Sequence, residues 1–206
     1  RVDEMGLRAY LARMGFTQSP TVTEAGDFAV RGGIVDIFPP GDTGPIRLDF
    51  FGDVLESARR FDAATQRTTD KLDRIALAPM SEVVLDDASI TRFRQNYRLE
   101  FGAGGSDDPL YEAVSAGRRQ QGMEHWLPFF HERLETIFDY LPDAGVMLDD
   151  QVTPTRLARW EAVDDAYDAR REAMVQKGRT DSVYKPCPPG LLYLDDAAWE
   201  AAVGGH

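Results

Sequence analysis

With 206 residues, a hydrophobic fraction of 43% and a charged fraction of 28%, the chain has the balance of an ordinary globular protein with room for one or two cores. Its formal net charge of −12 argues against a segment that clamps nucleic acid by itself, since that affinity comes mostly from Lys and Arg neutralising phosphates. There is no apolar run long enough to cross a bilayer and no signal peptide, and the single Cys187 cannot form an internal disulfide, so a cytoplasmic, reducing setting is expected.

The chain opens on Arg1 rather than Met, as expected for a piece of something longer. Leu7, Tyr10, Leu11 and Met14 recur at helical spacing and predict a helix from about Asp3, its N-cap, to Met14, with Gly15 as the stop. Alternating stretches then predict strands at Phe28–Val30, Ile34–Phe38, Ile46–Phe51 and Val54–Phe61. Gly32-Gly33 and Gly52-Asp53 have tight-turn chemistry, Pro39-Pro40-Gly41 ends a strand, and Arg74–Leu77 is a candidate closing segment. In Ile46–Phe51, Ile46, Leu48 and Phe50 point to one face, and Arg47, Asp49 and Phe51 to the other. The first face is plain core. The second pairs opposite charges with a large aromatic, the residue types enriched at binding hot spots.

A domain boundary is expected near Ala78-Pro79, after which the pattern turns helical. Ile90, Phe93 and Tyr97 mark one helix, with Ser89 or Asp87 near its cap; Asp108-Pro109 opens another, with Leu110 and Val114 inward. Val146–Leu148 reads as a buried strand. Thr153-Pro154 opens a long helix with the stripe Leu157, Trp160, Val163, Tyr167 and Met174, ending at Gly178, and Leu191–Leu194 reads as a last strand. The expected fold class is α+β: a small antiparallel sheet with a helix, followed by a mainly helical part of an α/β domain.

Several signals have bland readings that outweigh the sharp ones. Arg31-Gly32-Gly33 is a single RGG beside strands, hence a hairpin turn rather than an RNA-binding motif. The pairs Asp86-Asp87, Asp107-Asp108, Asp149-Asp150, Asp164-Asp165 and Asp195-Asp196 mostly adjoin helix starts, where carboxylates cap amides and favour the macrodipole. His125 and His131 lack zinc-ligand spacing and are expected to pack structurally. Gly102–Gly105 lacks the Lys-Ser/Thr ending of a phosphate loop, and Ser106, Ser115 and Ser182 have no nucleophile-elbow setting. Cys187 precedes two prolines and has no setting that would lower its pKa. No cofactor or metal site is expected in this segment. For Arg47 and Phe51 the residues alone leave two readings open, an interface or a face covered by another element of the chain.

FAVRGGIVDIFPPG, then PIRLDFFGD and RRFDAATQRT, resemble the second domain of the bacterial transcription-repair coupling factors (the Mfd family), a module found more distantly in the excision-repair protein UvrB. LYEAVSAGRRQQGMEHWLPFF and IFDYLPDAGVMLDD are similar to the segment that follows in that family, so the likeness spans nearly the whole chain. RRFDAATQRT and MEHWLPFF favour the coupling factors over UvrB.

The resemblance implies a UvrA-binding domain at residues 1–78 and, at 79–206, a segment that completes the family's UvrB-like domain 1. It implies that Arg31, Arg47 and Phe51 contact UvrA, with Asp49, Arg59, Arg60 and Arg67 as candidates for the rim. Asp49 is a candidate to orient Arg47, and Arg47 and Phe51 are both expected at the surface. The implied parent is an ATP-driven DNA translocase that uses ATP and magnesium, removes stalled RNA polymerase and engages RNA polymerase and DNA through domains not present in this segment. Its C-terminal domain is implied to mask the UvrA surface until the motor engages, and the damage-verifying hairpin of UvrB has no match here. A UvrB fragment, or a stand-alone nucleotide- or metal-binding domain, is the alternative.

Overall fold

The computed structural model describes residues 3–102, 108–176 and 185–205 and divides into two units, Arg1–Asp86 and Asp87–His206. The fold class is α+β. The expected loop at residues 103–105, Ser106, Asp107, Gly178 and Ser182 lie outside the described residues.

The first unit begins with helix α1 (Glu4–Arg13). The Asp3 side chain accepts a hydrogen bond from the Gly6 amide at 2.7 Å, which satisfies one of the donors that every helix start leaves unpaired. Gly15, at φ 90°, supplies the left-handed turn that stops the helix. Leu7 and Leu11 are buried, with Tyr10 and Met14 half-buried beside them, so the spacing read from the sequence is the face that packs.

Six strands follow in sequential order: β1 (Thr17–Gln18), β2 (Asp27–Arg31), β3 (Ile34–Ile37), β4 (Ile46–Phe51), β5 (Val54–Phe61) and β6 (Thr68–Lys71). The short β1 runs parallel to β2, and the other neighbours are antiparallel. The β2–β3 turn at Gly32-Gly33 is tight for a specific reason. The Phe50 amide donates to the Gly33 carbonyl at 2.7 Å, and a Cβ on Gly33 would lie 2.4 Å from the Phe50 carbonyl oxygen. Only glycine lets β4 approach that closely.

One face of the sheet carries Phe28, Val35, Ile37, Ile46, Leu48 and Ala58 and packs under α1. The closing segment corrects the sequence reading. The strand that closes the sheet is β6, Thr68–Lys71, whereas Arg74–Leu77 forms no strand and instead lays Ile75 and Leu77 against the core. All four β6 residues are exposed, so no apolar alternation advertised it. Its register comes from the preceding turn, where Asp62 and Arg67 bond through their backbones at 3.0 Å and the Asp62 carboxylate takes the Thr65 amide at 2.7 Å. This unit continues past the expected boundary at residue 78, since the Met80 amide donates to the Met14 carbonyl at 2.9 Å.

Among its described residues the second unit is helical: α2 (Asp87–Phe101), α3 (Pro109–Ser115), α4 (Leu127–Phe130), α5 (Ile137–Tyr140), α6 (Val152–Gln176) and α7 (Asp196–Gly204). Asp108 caps α3 as expected, accepting from the Leu110 and Tyr111 amides at 3.0 and 3.3 Å, with Pro109 at the first position. The core is aromatic. Phe93 stacks on Phe130 with centroids 4.8 Å apart, while Tyr97 meets Tyr111 at 4.4 Å and Trp126 at 5.2 Å. The Trp126 indole donates to the Lys185 carbonyl at 2.8 Å, and the Tyr97 hydroxyl donates to Asp108 at 2.6 Å, so the polar handles of these rings are used. Burial and the Asp108 carboxylate push the Tyr97 phenol well above its ordinary range.

Two expected strands are absent. Val146–Leu148 forms no regular structure and is not buried, with Met147 96% exposed, and Pro189–Leu191 is a 3₁₀ turn. Short apolar runs do not separate strand from loop by periodicity, and neither run finds a neighbouring strand to pair with. In α6 the half-buried positions are Val152, Arg156, Trp160, Val163, Tyr167 and Met174. Arg156 takes the stripe position expected of Leu157, covering the Trp199 ring at 5.9 Å and pairing with Asp196, while Leu157 is 48% exposed.

Cys187 is buried, and burial followed by the charge of Glu100 pushes its thiol up to about 12. Its thiolate fraction at pH 8 is therefore small, and alkylation is expected to wait on opening of the helical unit. Iodoacetamide labelling followed by mass spectrometry should be slow in native buffer and fast in denaturant. Equal rates in both would mean that the thiol is accessible in the folded unit.

Candidate protein-interaction face

The other face of the sheet is built differently. Strand alternation and register bring Arg31 from β2, Asp36 from β3, Arg47, Asp49 and Phe51 from β4, and Ser57 and Arg59 from β5 to the same side. At one end of this side, Val22, Ala29 and Phe61 are buried together with Phe38 against them.

The centre of the face is an ion cluster. Asp36 is fully buried, with 0% exposure. Arg47 grips its carboxylate with two parallel bonds, Nε to Oδ1 at 2.7 Å and Nη2 to Oδ2 at 2.8 Å, while Arg31 Nη2 reaches Oδ2 at 2.5 Å. Arg47 donates its remaining Nη1 to the Gln66 carbonyl at 3.3 Å and lies over the Phe61 ring at 4.7 Å. Gln66 sits at φ 59° and is pinned through its own amide nitrogen to the carbonyls of Val22 at 3.1 Å and Ala63 at 2.7 Å. The hydrogen bonds that Arg47 donates to Asp36 favour its charged form and raise its pKa further.

The expected surface positions therefore split. The Arg31 side chain is 48% exposed and Phe51 is 75% exposed at the tip of the β4–β5 hairpin, opposite the half-exposed Val54. The Arg47 side chain is only 17% exposed. The surface position expected for Arg47 is corrected, because Asp36 and Phe61 draw its guanidinium down onto the sheet. Asp49 accepts a hydrogen bond from the Ser57 hydroxyl at 3.0 Å; the carboxylate that fixes Arg47 is Asp36.

The rim candidates divide too. Arg59 lies directly across from Arg47, is exposed, and has no ion-pair partner among the described residues. Arg60 is paired with Ile46, which turns it to the core side of the sheet, where it bonds Asp42 at 2.6 Å. That bond, from Arg60, holds the Asp42 carboxyl below its usual range. Arg67 is exposed in the β5–β6 turn.

Asp36 was missed from the sequence. The available signal was a single carboxylate inside the apolar run Ile34–Phe38, at the alternation that faces Arg47 across the strand pair. Elsewhere the acidic pairs behave mainly as caps: Asp149 accepts from the Gln151 amide at 2.9 Å and Asp195 from the Ala198 amide at 2.8 Å, whereas Asp164-Asp165 lie within α6 on its exposed side. His125 is exposed and His131 half-buried. Among the described residues no group of three His, Cys, Asp or Glu could hold a metal ion, and no helix is long and apolar enough to cross a membrane.

The family model of the UvrB interaction domain matches residues 1–83, the whole of the sheet and α1. Over most of its length the chain is also related to transcription-repair-coupling factors. It is 34% identical over 188 residues to that of Rickettsia bellii (strain RML369-C), covering 91% of this chain and 16% of the relative. It is 37% identical over 172 residues to that of Haemophilus influenzae, covering 82% and 15%. The factor of Escherichia coli (strain K12) is 36% identical over 163 residues, covering 79% and 14%. The chain thus spans about one sixth of the length of the first of these relatives. In the UvrB interaction domain, the face bearing Arg31 and Phe51 is the one that α1 leaves open.

Proposed function

We propose that this chain is the UvrA-recruiting region of a transcription-repair coupling factor, and that Phe51, Arg31 and the half-buried Arg47 on the same side of the sheet form the recruiting face, with Arg59 and Asp49 at its rim. The observation that carries the reading is Phe51, 75% exposed beside an arginine-rich face in a domain of the UvrB interaction family. A large exposed aromatic flanked by guanidinium groups suits a partner that offers an apolar pocket with carboxylates around it.

The segment itself is non-catalytic in this reading. Hydrolysis of ATP with magnesium, and the engagement of DNA and stalled RNA polymerase, belong to the rest of a cytoplasmic parent, whose C-terminal domain covers the recruiting face until the motor engages. The relatives support a coupling factor over a UvrB fragment, since the likeness runs through both units. The test sets calorimetric titration with UvrA against thermal shift with ATP and magnesium. Saturable UvrA binding without a nucleotide-induced shift is expected. A nucleotide shift abolished by a point mutation, with no UvrA binding, would favour a stand-alone nucleotide-binding domain.

A further inference from the structure

We propose that Asp36 is a positioning residue of this face, an internal counter-ion that holds the guanidinium of Arg31 where a partner reads it. The inference rests on the reading of the face as the UvrA-recruiting surface. Asp36 is fully buried and touches no partner itself, so any effect on binding must pass through another side chain. Three guanidinium nitrogens converge on its carboxylate at 2.5, 2.7 and 2.8 Å. The two arginines differ in what they have left. Arg47 spends Nε, Nη1 and Nη2 on Asp36 and Gln66, whereas Arg31 spends Nη2 alone and keeps a 48% exposed side chain. Arg47 therefore acts as the wall that fixes the carboxylate, and Arg31 as the group presented outward.

A preset guanidinium loses less rotamer freedom on docking than one that must be immobilised, which is why an internal clamp favours binding. The carboxylate also lets two like charges sit on one side of a sheet. The other charged side chains that register and alternation put on that side are Asp49, engaged by Ser57, Arg59, exposed across from Arg47, Lys71 across from Arg59, and Asp27 at the start of β2, where it accepts from the Thr23 and Glu24 amides. Without Asp36, Arg31, Arg47 and Arg59 would share the face with only Asp49 and, at the start of β2, Asp27 as acidic groups.

The experiment uses Asp36→Asn, which keeps the side-chain volume, and the neutral pair Asp36→Asn with Arg47→Gln, which avoids a buried unpaired charge. Each is titrated with UvrA beside a melting curve and combined with Arg31→Ala, and Phe51→Ala serves as the control for the recruiting face. Folded Asp36 variants are expected to bind roughly ten-fold more weakly, in the range that separates interface residues which matter from those that do not. Arg31→Ala should then cost little more, because Arg31 has already lost its anchor. Wild-type affinity in a folded Asp36 variant overturns the inference. So does full additivity with Arg31→Ala, or affinity lost only in step with the unfolded fraction of both variants. Loss of binding in Phe51→Ala with intact binding in the Asp36 variants removes this inference and leaves the recruiting reading standing. Absence of UvrA binding by the wild-type chain removes both.

Discussion

Arg47→Ala is expected to lower the stability of the first unit by about 3 kcal/mol, because it takes the bidentate partner from a fully buried carboxylate and leaves Asp36 with Arg31 alone. The guanidinium also caps the Phe61 ring at 4.7 Å, and that contact goes with it. For a domain of this size each kcal/mol moves the melting temperature by about 4–8 °C, so a fall of roughly 12–24 °C should appear in a thermal scan. Arg47→Lys should recover little, since an ammonium cannot make the two parallel bonds of the fork. A melting temperature within a degree or two of wild type for Arg47→Ala would show that the pair contributes nothing net. This outcome differs from what the sequence implied, where Arg47 counted as a surface group whose loss the fold would tolerate.

Phe51→Ala is expected to do the reverse. Its ring is 75% exposed, so removing it takes almost nothing from the core, yet a central aromatic of an interface typically contributes on the order of 2 kcal/mol to binding. UvrA affinity should fall about 30-fold, at a factor of ten for each ~1.4 kcal/mol, with an unchanged melting curve. Titration of the wild type and the variant in parallel measures this directly. Equal affinities would make Phe51 a bystander and move the recruiting face elsewhere on the domain.

The two variants together show what the sequence could and could not reveal. Period-two alternation in Ile46–Phe51 was sufficient to separate buried Ile46, Leu48 and Phe50 from the other three side chains, and capping chemistry located the starts of α1 and α3. Alternation says which side a residue faces and nothing about what meets it there. Whether Arg47 reaches outward or folds down depends on Asp36, eleven positions earlier, and on Phe61, fourteen later. Arg60 was grouped with Arg59 by adjacency, although neighbours on a strand face opposite ways and only pairing with β4 shows which way each points. β6 escaped notice because its Thr, Asp and Lys residues carry no apolar signal. Val146–Leu148 failed in the opposite direction, apolar enough for a strand but with no strand to join.

The margins of the sheet have a consequence for how this domain can be approached. One margin is β1, two residues long, and the other is β6, short and exposed throughout, with Asp70 and Lys71 among its four residues. Such borders offer few free backbone groups in a row and resist the addition of a foreign strand. A partner that binds by donating a strand finds little template here, and so does a second copy of the domain. Recognition is left to side chains standing on the open face and at the hairpin tip. That favours a preformed, rigid partner surface over an extended peptide, and it keeps many copies of the domain in one cell from zipping together edge to edge.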